Sequence, residues 1–357
     1  MPFKLGICTI SLGQSSAGHT LSDKLRAAHT HGIKGVEIFD EDLYHLADSF
    51  PGGRSLEQNR YSAAVVTREL CESNELSIIC LQPFRHYEGI LDRGQHEIRF
   101  TELKHYMTLA QLLHTDLILI PSTFLPAHQI STCDDDHVAD LIRAADLGAQ
   151  MQPPVRIAYE SLCWGTHADV WEKSWEMVTR VDRPNFGMCI DTFNLAGRVY
   201  ADPASPSGKT PNAERDITES LRRLLNHVDV QKIFLVQMGD AEKLSEPIMP
   251  GHILYNKTQP ARMSWSRHSR LFYGEQHLGG YLPTKEIMLV VLRGLGYKGW
   301  LSYEIFNHRL LNPDQSIPGE MAQRASRAFD KMIQDIFPRS GEGPETGSTA
   351  CENRSHL

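Results

Sequence analysis

Short runs of apolar residues recur along the chain and alternate with stretches in which apolar residues are spaced three or four apart. The runs are rich in Ile, Val, Leu and aromatic residues and are mostly continuous, which is typical of parallel strands covered on both faces. Eight runs predict strands: KLGICTIS (4–11), GVEIFD (35–40), LSIICLQPF (76–84), DLILIPS (116–122), VRIAYES (155–161), FGMCIDTF (186–193), KIFLVQM (232–238) and GWLSYEIF (299–306).

The stretches between these runs predict helices with one apolar face. They cover residues 21–32, 59–75, 95–114, 137–151, 169–182, 213–228, 284–295 and 316–336. Eight strands alternating with eight helices predict one α/β domain, a single (β/α)₈ TIM barrel over residues 1–337. A doubly wound open sheet is the alternative, but TISLGQSSAG after the first strand is not a glycine-rich phosphate loop.

Two long stretches without regular periodicity predict long loops after strands 6 and 7. They are residues 198–212 and 241–282. A loop this long in a compact domain is usually functional, so the second is a candidate lid or substrate-binding loop. The tail 338–357 is polar and poor in apolar residues, which predicts disorder.

Composition narrows the classes of function. The chain has 357 residues, is 41% hydrophobic and carries a formal net charge of −8, so it lacks the positive charge of a general nucleic-acid binder. No apolar run approaches the roughly 18 residues of a membrane span. The N-terminal segment has no signal-peptide core, and Cys8, Cys80, Cys163 and Cys189 lie in strand-like runs. We therefore expect a cytoplasmic protein with reduced cysteines, and a homo-oligomer remains open.

Acidic residues interrupt three predicted strands near their carboxyl ends, where a TIM barrel holds its active site. They are Glu160, Asp191 and Glu304. Three buried carboxylates repel one another and lose hydration, which a divalent cation would offset. Gln237, on the strand between those of Asp191 and Glu304, would add a neutral ligand. Such an oxygen site suits Mg²⁺ or Mn²⁺ and tolerates Co²⁺ or Zn²⁺. Each acid alone could instead pair with an arginine or cap a helix.

Further polar residues near the strand ends are candidates for holding a substrate. Arg85 follows strand 3, and the segment SWSRHSRLFYG in the loop after strand 7 offers Ser266, Arg267, His268 and Arg270. Arginines near a metal suit a substrate carboxylate or phosphate, although each could form an ordinary surface salt bridge. Glu37, on strand 2, is either a substrate contact or a salt-bridge partner inside the barrel.

A histidine is the natural candidate for a general base near neutral pH. His167 lies seven residues past Glu160, on the loop after strand 5. From there its imidazole could reach a substrate in the site, although a lone loop histidine is more often exposed and idle.

Six longer strings make the chain resemble a known family: AGHTLSDKL, ICLQPFRHYEGILDR, YESLCWGT, CIDTFNLAGRVYADP, MSWSRHSRLFYGE and YEIFNHR. They are similar to strings in the fungal 3-dehydroshikimate dehydratases of quinate and shikimate catabolism, within the xylose-isomerase-like barrel superfamily. The resemblance covers residues from about 3 to 335. It implies a metal held by Glu160, Asp191, Gln237 and Glu304, and a substrate held by Arg85, Ser266 and Arg270.

One position departs from the bacterial members of this family. They often have Asp-Ser-Phe-His where this chain has Asp-Thr-Phe-Asn, ending at Asn194. An asparagine can orient a substrate but cannot take a proton, so the resemblance leaves the base role to His167 or His86, with Glu160 as a further catalytic group.

The resemblance also implies the reaction, a dehydration of 3-dehydroshikimate to protocatechuate and water through a metal-stabilised enolate. A base takes the C4 proton, the C5 hydroxyl leaves as water, and loss of a C6 proton aromatises the ring. No redox cofactor is needed.

Three other functions fit the predicted barrel less well. A metal-dependent sugar or sugar-phosphate isomerase or epimerase would use Glu160 and Glu304 as its acid and base, whereas arginines suited to a carboxylate favour the dehydratase. A DNA endonuclease would need a histidine-rich metal cluster and a basic face. A non-catalytic ligand-sensing barrel would not need all four metal ligands.

Overall fold

A closed barrel of eight parallel strands forms the centre of the protein in a computed structural model, which describes residues 3–338. The strands are β1 (Lys4–Cys8), β2 (Gly35–Phe39), β3 (Ser77–Gln82), β4 (Leu117–Pro121), β5 (Arg156–Glu160), β6 (Phe186–Asp191), β7 (Ile233–Met238) and β8 (Trp300–Tyr303). Each strand pairs with its neighbours in chain order, and β8 pairs with β1 to close the barrel. The predicted (β/α)₈ barrel is confirmed.

Eleven α-helices surround or cap the barrel within the described residues. They are α1 (Leu21–Thr30), α2 (Asp40–Asp48), α3 (Glu57–Ser73), α4 (Arg93–Leu112), α5 (Asp134–Gln150), α6 (Trp171–Val181), α7 (Thr192–Val199), α8 (Ala213–His227), α9 (Ala261–His268), α10 (Thr284–Leu289) and α11 (Ile317–Ile336). A π-helical turn, Val290–Gly294, continues α10. The eight predicted helices are present, and α2, α7 and α9 are additional.

Helix α7 corrects the prediction after strand 6. The apolar run 186–193 was expected to be all strand, but β6 ends at Asp191, whose side chain caps α7 by accepting a hydrogen bond from the Phe193 backbone N–H at 2.8 Å. The non-helical segment after this strand therefore begins at Tyr200, eight residues beyond the start of the helix.

The 241–282 segment is structured rather than an open loop. Its start pairs with a later part of the segment in a small antiparallel pair, Asp240–Ala241 with Arg270–Leu271, and α9 lies between the two strands of this pair. Asp240 Oδ1 accepts hydrogen bonds from the backbone N–H groups of Ala241, Tyr281 and Leu282 at 2.7, 3.0 and 2.8 Å. This carboxylate therefore fastens the start of the segment to its end, and a lid movement of the segment stays a prediction.

The core has two parts. Side chains from alternate positions of β3 to β7 fill the barrel interior, including Cys80, Leu119, Ala158, Cys189 and Leu235, and a larger cluster packs the helices against the outside of the barrel.

The four strand-like cysteines named above are buried free thiols. Among the described residues, no helix is long and apolar enough to cross a membrane. The tail predicted to be disordered lies outside the described residues except for Pro338.

Candidate active site

Three buried carboxylates meet at the carboxyl end of the barrel. Glu160 is the last residue of β5, Asp191 is the last residue of β6, and Glu304 follows β8. One carboxylate oxygen from each lies within 4.8 Å of the others. Parallel strands bring these acids together because all eight carboxyl ends face the same side of the barrel.

The carboxylate cluster, by which we mean Glu160, Asp191 and Glu304, is costly to ionise in this setting. Burial, followed by the charges of Glu304 and Asp191, raises the pKa of Glu160 well above its usual range. Burial also raises the pKa of Glu304, although the neighbouring Arg270 partly offsets it. The cluster therefore requires protons or cations to balance its charge.

Arg270 supplies one positive charge to the carboxylate cluster. Its Nη1 donates to Asp191 Oδ2 at 2.8 Å and to Glu304 Oε2 at 3.0 Å, and its side chain is 1% exposed. Its Nε donates to Ser266 Oγ at 3.1 Å, which fixes the guanidinium plane. Three carboxylates against one guanidinium leave two negative charges in excess when all are ionised. The donor set and this charge fit a hard divalent cation.

Asn194 bridges two members of the carboxylate cluster. Its Nδ2 donates to Glu160 Oε1 and to Asp191 Oδ2, both at 2.8 Å. Its Oδ1 accepts from the Cys163 backbone N–H at 3.1 Å, which fixes the orientation of the amide. The structure therefore places Asn194 as a donor that orients the carboxylates, and its first turn position in α7 explains why it can reach both.

Gln237 lies beside Asp191 in the β6–β7 pairing but does not contact the carboxylate cluster by hydrogen bonds. Its Nε2 donates to Glu37 Oε2 at 2.8 Å, and its Oε1 has a weak contact from the Cys189 thiol at 3.5 Å. Gln82, which was not among the predicted site residues, donates from Nε2 to Glu37 Oε2 at 3.0 Å and to Glu304 Oε1 at 2.8 Å. The sequence signal that could have identified Gln82 was an amide side chain at the end of the third predicted strand.

Glu37 belongs to the barrel interior. It is fully buried, and burial, followed by the charge of Glu304, raises its pKa to about 8. Its hydrogen-bond partners are the amides of Gln82 and Gln237 rather than an arginine, and it is not among the residues that line the cavity. Glu37 therefore lies inside the barrel, as one of the two predicted roles requires, but among the described residues it forms no salt bridge.

A cavity of about 620 Å³ opens over the carboxylate cluster. Its lining includes Glu160, Glu304, Arg85, Ser266, Arg267, His268, Arg270, Phe124, Trp164 and Phe306. The volume is in the range typical of small-molecule sites, and aromatic walls with a few polar groups are typical of their composition.

The arginines of the cavity differ in their partners. Arg85 pairs with Asp40 at 2.9 Å and is 31% exposed. Arg267 has no carboxylate within salt-bridge distance among residues 3–338 and donates only to the side chain of Gln259, at 3.3 Å. Arg270 keeps Nη2 without a hydrogen-bond partner in the described chain. Arg267, named by sequence but not selected, is therefore the guanidinium most available to an anion.

The two predicted base candidates lie away from this cavity. His167 bonds through Nε2 to Asp134 at 3.1 Å and stacks on His137, and burial lowers its pKa to about 4. His86 packs against Phe124 and lines a neighbouring cavity, and burial also lowers its pKa to about 4. The structure brings neither imidazole to the carboxylate cluster, because the loops after β3 and β5 carry them outward.

His268 lines the cavity, and the sequence named it among the polar residues of its loop but not as a base. It ends α9, and its Nδ1 lies 2.8 Å from the backbone oxygen of Ser264. A carbonyl oxygen can only accept, so Nδ1 carries the proton and Nε2 keeps its lone pair in the neutral ring. The geometry makes His268 able to receive a proton.

The family model described as xylose isomerase-like TIM barrel matches residues 25–332. A Neurospora crassa protein named 3-dehydroshikimate dehydratase is 49% identical over 341 residues, which cover 94% of this chain and 95% of that protein. A Pseudomonas putida protein of the same name is 32% identical over 300 residues, 83% of this chain, and the chain spans 38% of its length.

Solved structures have the same architecture. A xylose isomerase-like TIM barrel/4-hydroxyphenylpyruvate dioxygenase fusion protein matches with a TM-score of 0.69 and 26% identity, over 94% of this chain and 43% of that chain. The chain belongs to the xylose isomerase-like TIM barrel family.

Proposed function

We propose that this member of the xylose isomerase-like TIM barrel family is a hydro-lyase that converts 3-dehydroshikimate into protocatechuate and water. The observation that carries the proposal is the nearly full-length 49% identity to the Neurospora crassa 3-dehydroshikimate dehydratase. The carboxylate cluster beside three arginines supports it, because the substrate has a ring ketone and a carboxylate to be held. We further propose a place in quinate and shikimate catabolism in the cytoplasm, which agrees with the buried free thiols.

The carboxylate cluster would hold one divalent ion, Mg²⁺ or Mn²⁺, because all its donors are oxygens. Gln237 is the proposed fourth ligand, since its Oε1 has only the weak thiol contact to lose. When bound, the ion supplies Lewis acidity at the ring ketone.

The arginines would hold the anionic end of the substrate. Arg85 and Arg267 line the same cavity, and Arg267 lacks an acidic partner among the described residues. A guanidinium presents paired N–H groups that match a carboxylate. Arg270 would contribute Nη2 to a substrate oxygen while Nη1 stays with Asp191 and Glu304.

His268 is the proposed base for the C4 proton, in place of His167 and His86. It lines the cavity and its Nε2 lone pair is free for proton transfer. Glu160 is the further proposed catalytic group, because its carboxylate lines the cavity beside the substrate position. Asn194 orients Glu160 and Asp191 and takes no proton.

The test uses chelator-treated protein, 3-dehydroshikimate and added Mg²⁺ or Mn²⁺, with protocatechuate followed by its near-ultraviolet absorbance. We expect product only with metal, and loss of product in Asp191→Asn. Asp140→Asn is the matched control, because Asp140 is also a buried acid paired with an arginine, Arg93, but lies outside the cavity. Absence of product with every metal would refute the proposed reaction.

A second experiment tests the base. His268→Gln should lower kcat at least a hundredfold, because a glutamine amide cannot take the C4 proton. His45→Gln is the matched control, since His45 lines the same cavity and has no proposed role. Equal rates for both variants would exclude His268.

The alternative is a sugar or sugar-phosphate isomerase or epimerase with Glu160 and Glu304 as acid and base. The observation in its favour is that both residues line the cavity and have raised pKa values. Turnover of a ketose with no turnover of 3-dehydroshikimate would select this alternative.

A further inference from the structure

Three buried metal-binding groups converge at a second place, away from the carboxylate cluster. Glu88 lies between β3 and α4, His137 lies in the first turn of α5, and His167 lies between β5 and α6. One ligating atom from each lies within 4.8 Å of the others. Glu88 and His137 are fully buried and the His167 side chain is 8% exposed.

Each of these side chains has one satisfied atom and one orphaned atom. Glu88 Oε1 accepts from the Thr123 backbone N–H at 2.7 Å and from Tyr159 Oη at 3.0 Å, whereas Oε2 has no partner. His137 Nε2 lies 2.8 Å from the Ser131 backbone oxygen, and its Nδ1 has no partner. His167 Nδ1 also has none.

The partners of the two imidazoles fix their tautomers. A backbone carbonyl and the Asp134 carboxylate, which lies 3.1 Å from His167 Nε2, can only accept hydrogen bonds. Both Nε2 atoms therefore carry protons, and both Nδ1 atoms keep bare lone pairs. A histidine that donates one N–H to a carbonyl or carboxylate and turns its other nitrogen inward is typical of metal ligation.

A single proton does not satisfy this cluster. A proton on Glu88 Oε2 could be donated to only one of the two imidazole Nδ1 atoms. The other Nδ1 would still lack a donor. One cation satisfies all three atoms at once, and buried orphaned polar atoms are otherwise rare in native proteins.

We propose that Glu88, His137 and His167 form a second metal site, distinct from the carboxylate cluster, that takes Zn²⁺ or a similar borderline transition-metal ion. Two imidazole nitrogens and one carboxylate oxygen are a donor set that favours Zn²⁺, Co²⁺ or Ni²⁺ over Mg²⁺. A water molecule would complete four-coordination.

The resting geometry constrains how the ion enters. The rings of His137 and His167 are stacked, with centroids 3.6 Å apart and 8° between their planes. An ion in the plane of one ring lies outside the plane of the other, so one ring turns on binding. His137 is held against Gly89, where any Cβ would lie 2.1 Å from the ring, so the ring that turns is that of His167.

The site has a structural role in this proposal. Thr123, which donates to Glu88, also accepts hydrogen bonds from the backbone and side chain of Thr166, at 3.0 and 3.1 Å. The adjoining Phe124 and Trp164 line the active-site cavity. An ion at this position would tie together the segments that form one wall of that cavity.

The test separates the two sites by donor chemistry. Chelator-treated full-length protein receives excess Mg²⁺ and is then titrated with Co²⁺, with bound cobalt measured by elemental analysis and by visible absorption. In an Asp191→Asn background, which disables the carboxylate cluster, we expect one equivalent of Co²⁺ with intense four-coordinate bands. Adding His137→Gln should remove this equivalent. Cys133→Ser is the control, because Cys133 is an exposed thiol next to Asp134 and should not alter the bands.

Anomalous diffraction from wild-type crystals soaked in Zn²⁺ makes the result independent of variant folding. A peak within bonding distance of Glu88 and both Nδ1 atoms supports the proposal. A peak confined to the carboxylate cluster, or Co²⁺ binding that survives His137→Gln, overturns it. Neither result depends on which reaction the enzyme catalyses.

Discussion

Arg270→Met removes the guanidinium that contacts the carboxylate cluster in the described part of the chain. Methionine keeps an unbranched, largely apolar side chain but removes the charge, together with the guanidinium carbon that lies 4.2 Å from the centroid of the Phe193 ring. We expect the metal-free variant to be less stable than the wild type and yet to bind Mn²⁺ more tightly. Both effects have the same cause, which is the loss of a positive charge beside three carboxylates.

The magnitude follows from the contacts of Arg270. Removing one partner of a buried ion pair costs about 3–5 kcal/mol, and at about 2 °C per kcal/mol for a large domain, the melting temperature should fall by about 6–10 °C. A divalent ion about 5 Å from the guanidinium is repelled by about 6 kcal/mol at an effective dielectric constant of about 20. Relief of only a quarter of that repulsion would strengthen the binding of Mn²⁺ at least tenfold.

The assay combines calorimetric melting of chelator-treated protein with calorimetric titration of Mn²⁺. Arg324→Met is the matched control, because Arg324 is a partly buried arginine that donates to Glu275 at 2.8 and 2.9 Å outside the cavity. It should lose stability without any change in Mn²⁺ affinity. An unchanged melting temperature in metal-free Arg270→Met, or weaker Mn²⁺ binding, would refute the reasoning.

Three further substitutions have defined outcomes. Asn194→Leu removes the amide that donates to Glu160 and Asp191, so we expect a loss of about 2–4 kcal/mol in urea unfolding and weaker Mn²⁺ binding; unchanged values of both would contradict the bridging role. Because burial raises the pKa of Asp40 to about 6, folded wild type holds a proton that the unfolded chain releases. Relative to Asp40→Asn, the free energy of unfolding of the wild type should fall by about 3 kcal/mol as the pH rises from about 3 to 7; a difference that does not change with pH would show that the pKa of Asp40 is not raised. Asp240→Ala leaves three backbone N–H groups without their acceptor, so limited proteolysis within 241–282 should accelerate; an unchanged cleavage rate would show that the segment is held by other contacts.

The barrel was predictable because its strands are covered on both faces. Continuous apolar runs identify such strands regardless of what packs on them. The three helices that the prediction missed contain only eight or nine residues each. Helices this short depend on tertiary contacts rather than on their own periodicity, and α9 also lies inside a segment whose prolines suggested an open loop.

The carboxylate cluster was predictable for a different reason. Glu160, Asp191 and Glu304 contradict the apolar pattern of their strands, and such a contradiction in a core position indicates a functional site. The hydrogen-bond partners were not predictable, because Arg270 reaches the cluster only through the path of a long insertion. His167 was predicted to reach the substrate but does not line the cavity. Its proximity to Glu160 in sequence does not determine the direction in which the loop after β5 runs.

The chemistry of the site is divided between the barrel and its insertion. The strands contribute the carboxylate cluster, which can hold a cation whatever the substrate is. The insertion between β7 and α10 contributes Arg267, His268 and Arg270, which can bind an anion and move a proton. Asp240 and the small antiparallel pair tie the start of this insertion, next to β7, to residues 270–271 and 281–282. If His268 takes the first proton, as proposed, the reaction depends on this insertion, and weakening its anchor should lower kcat while the carboxylate cluster still binds metal.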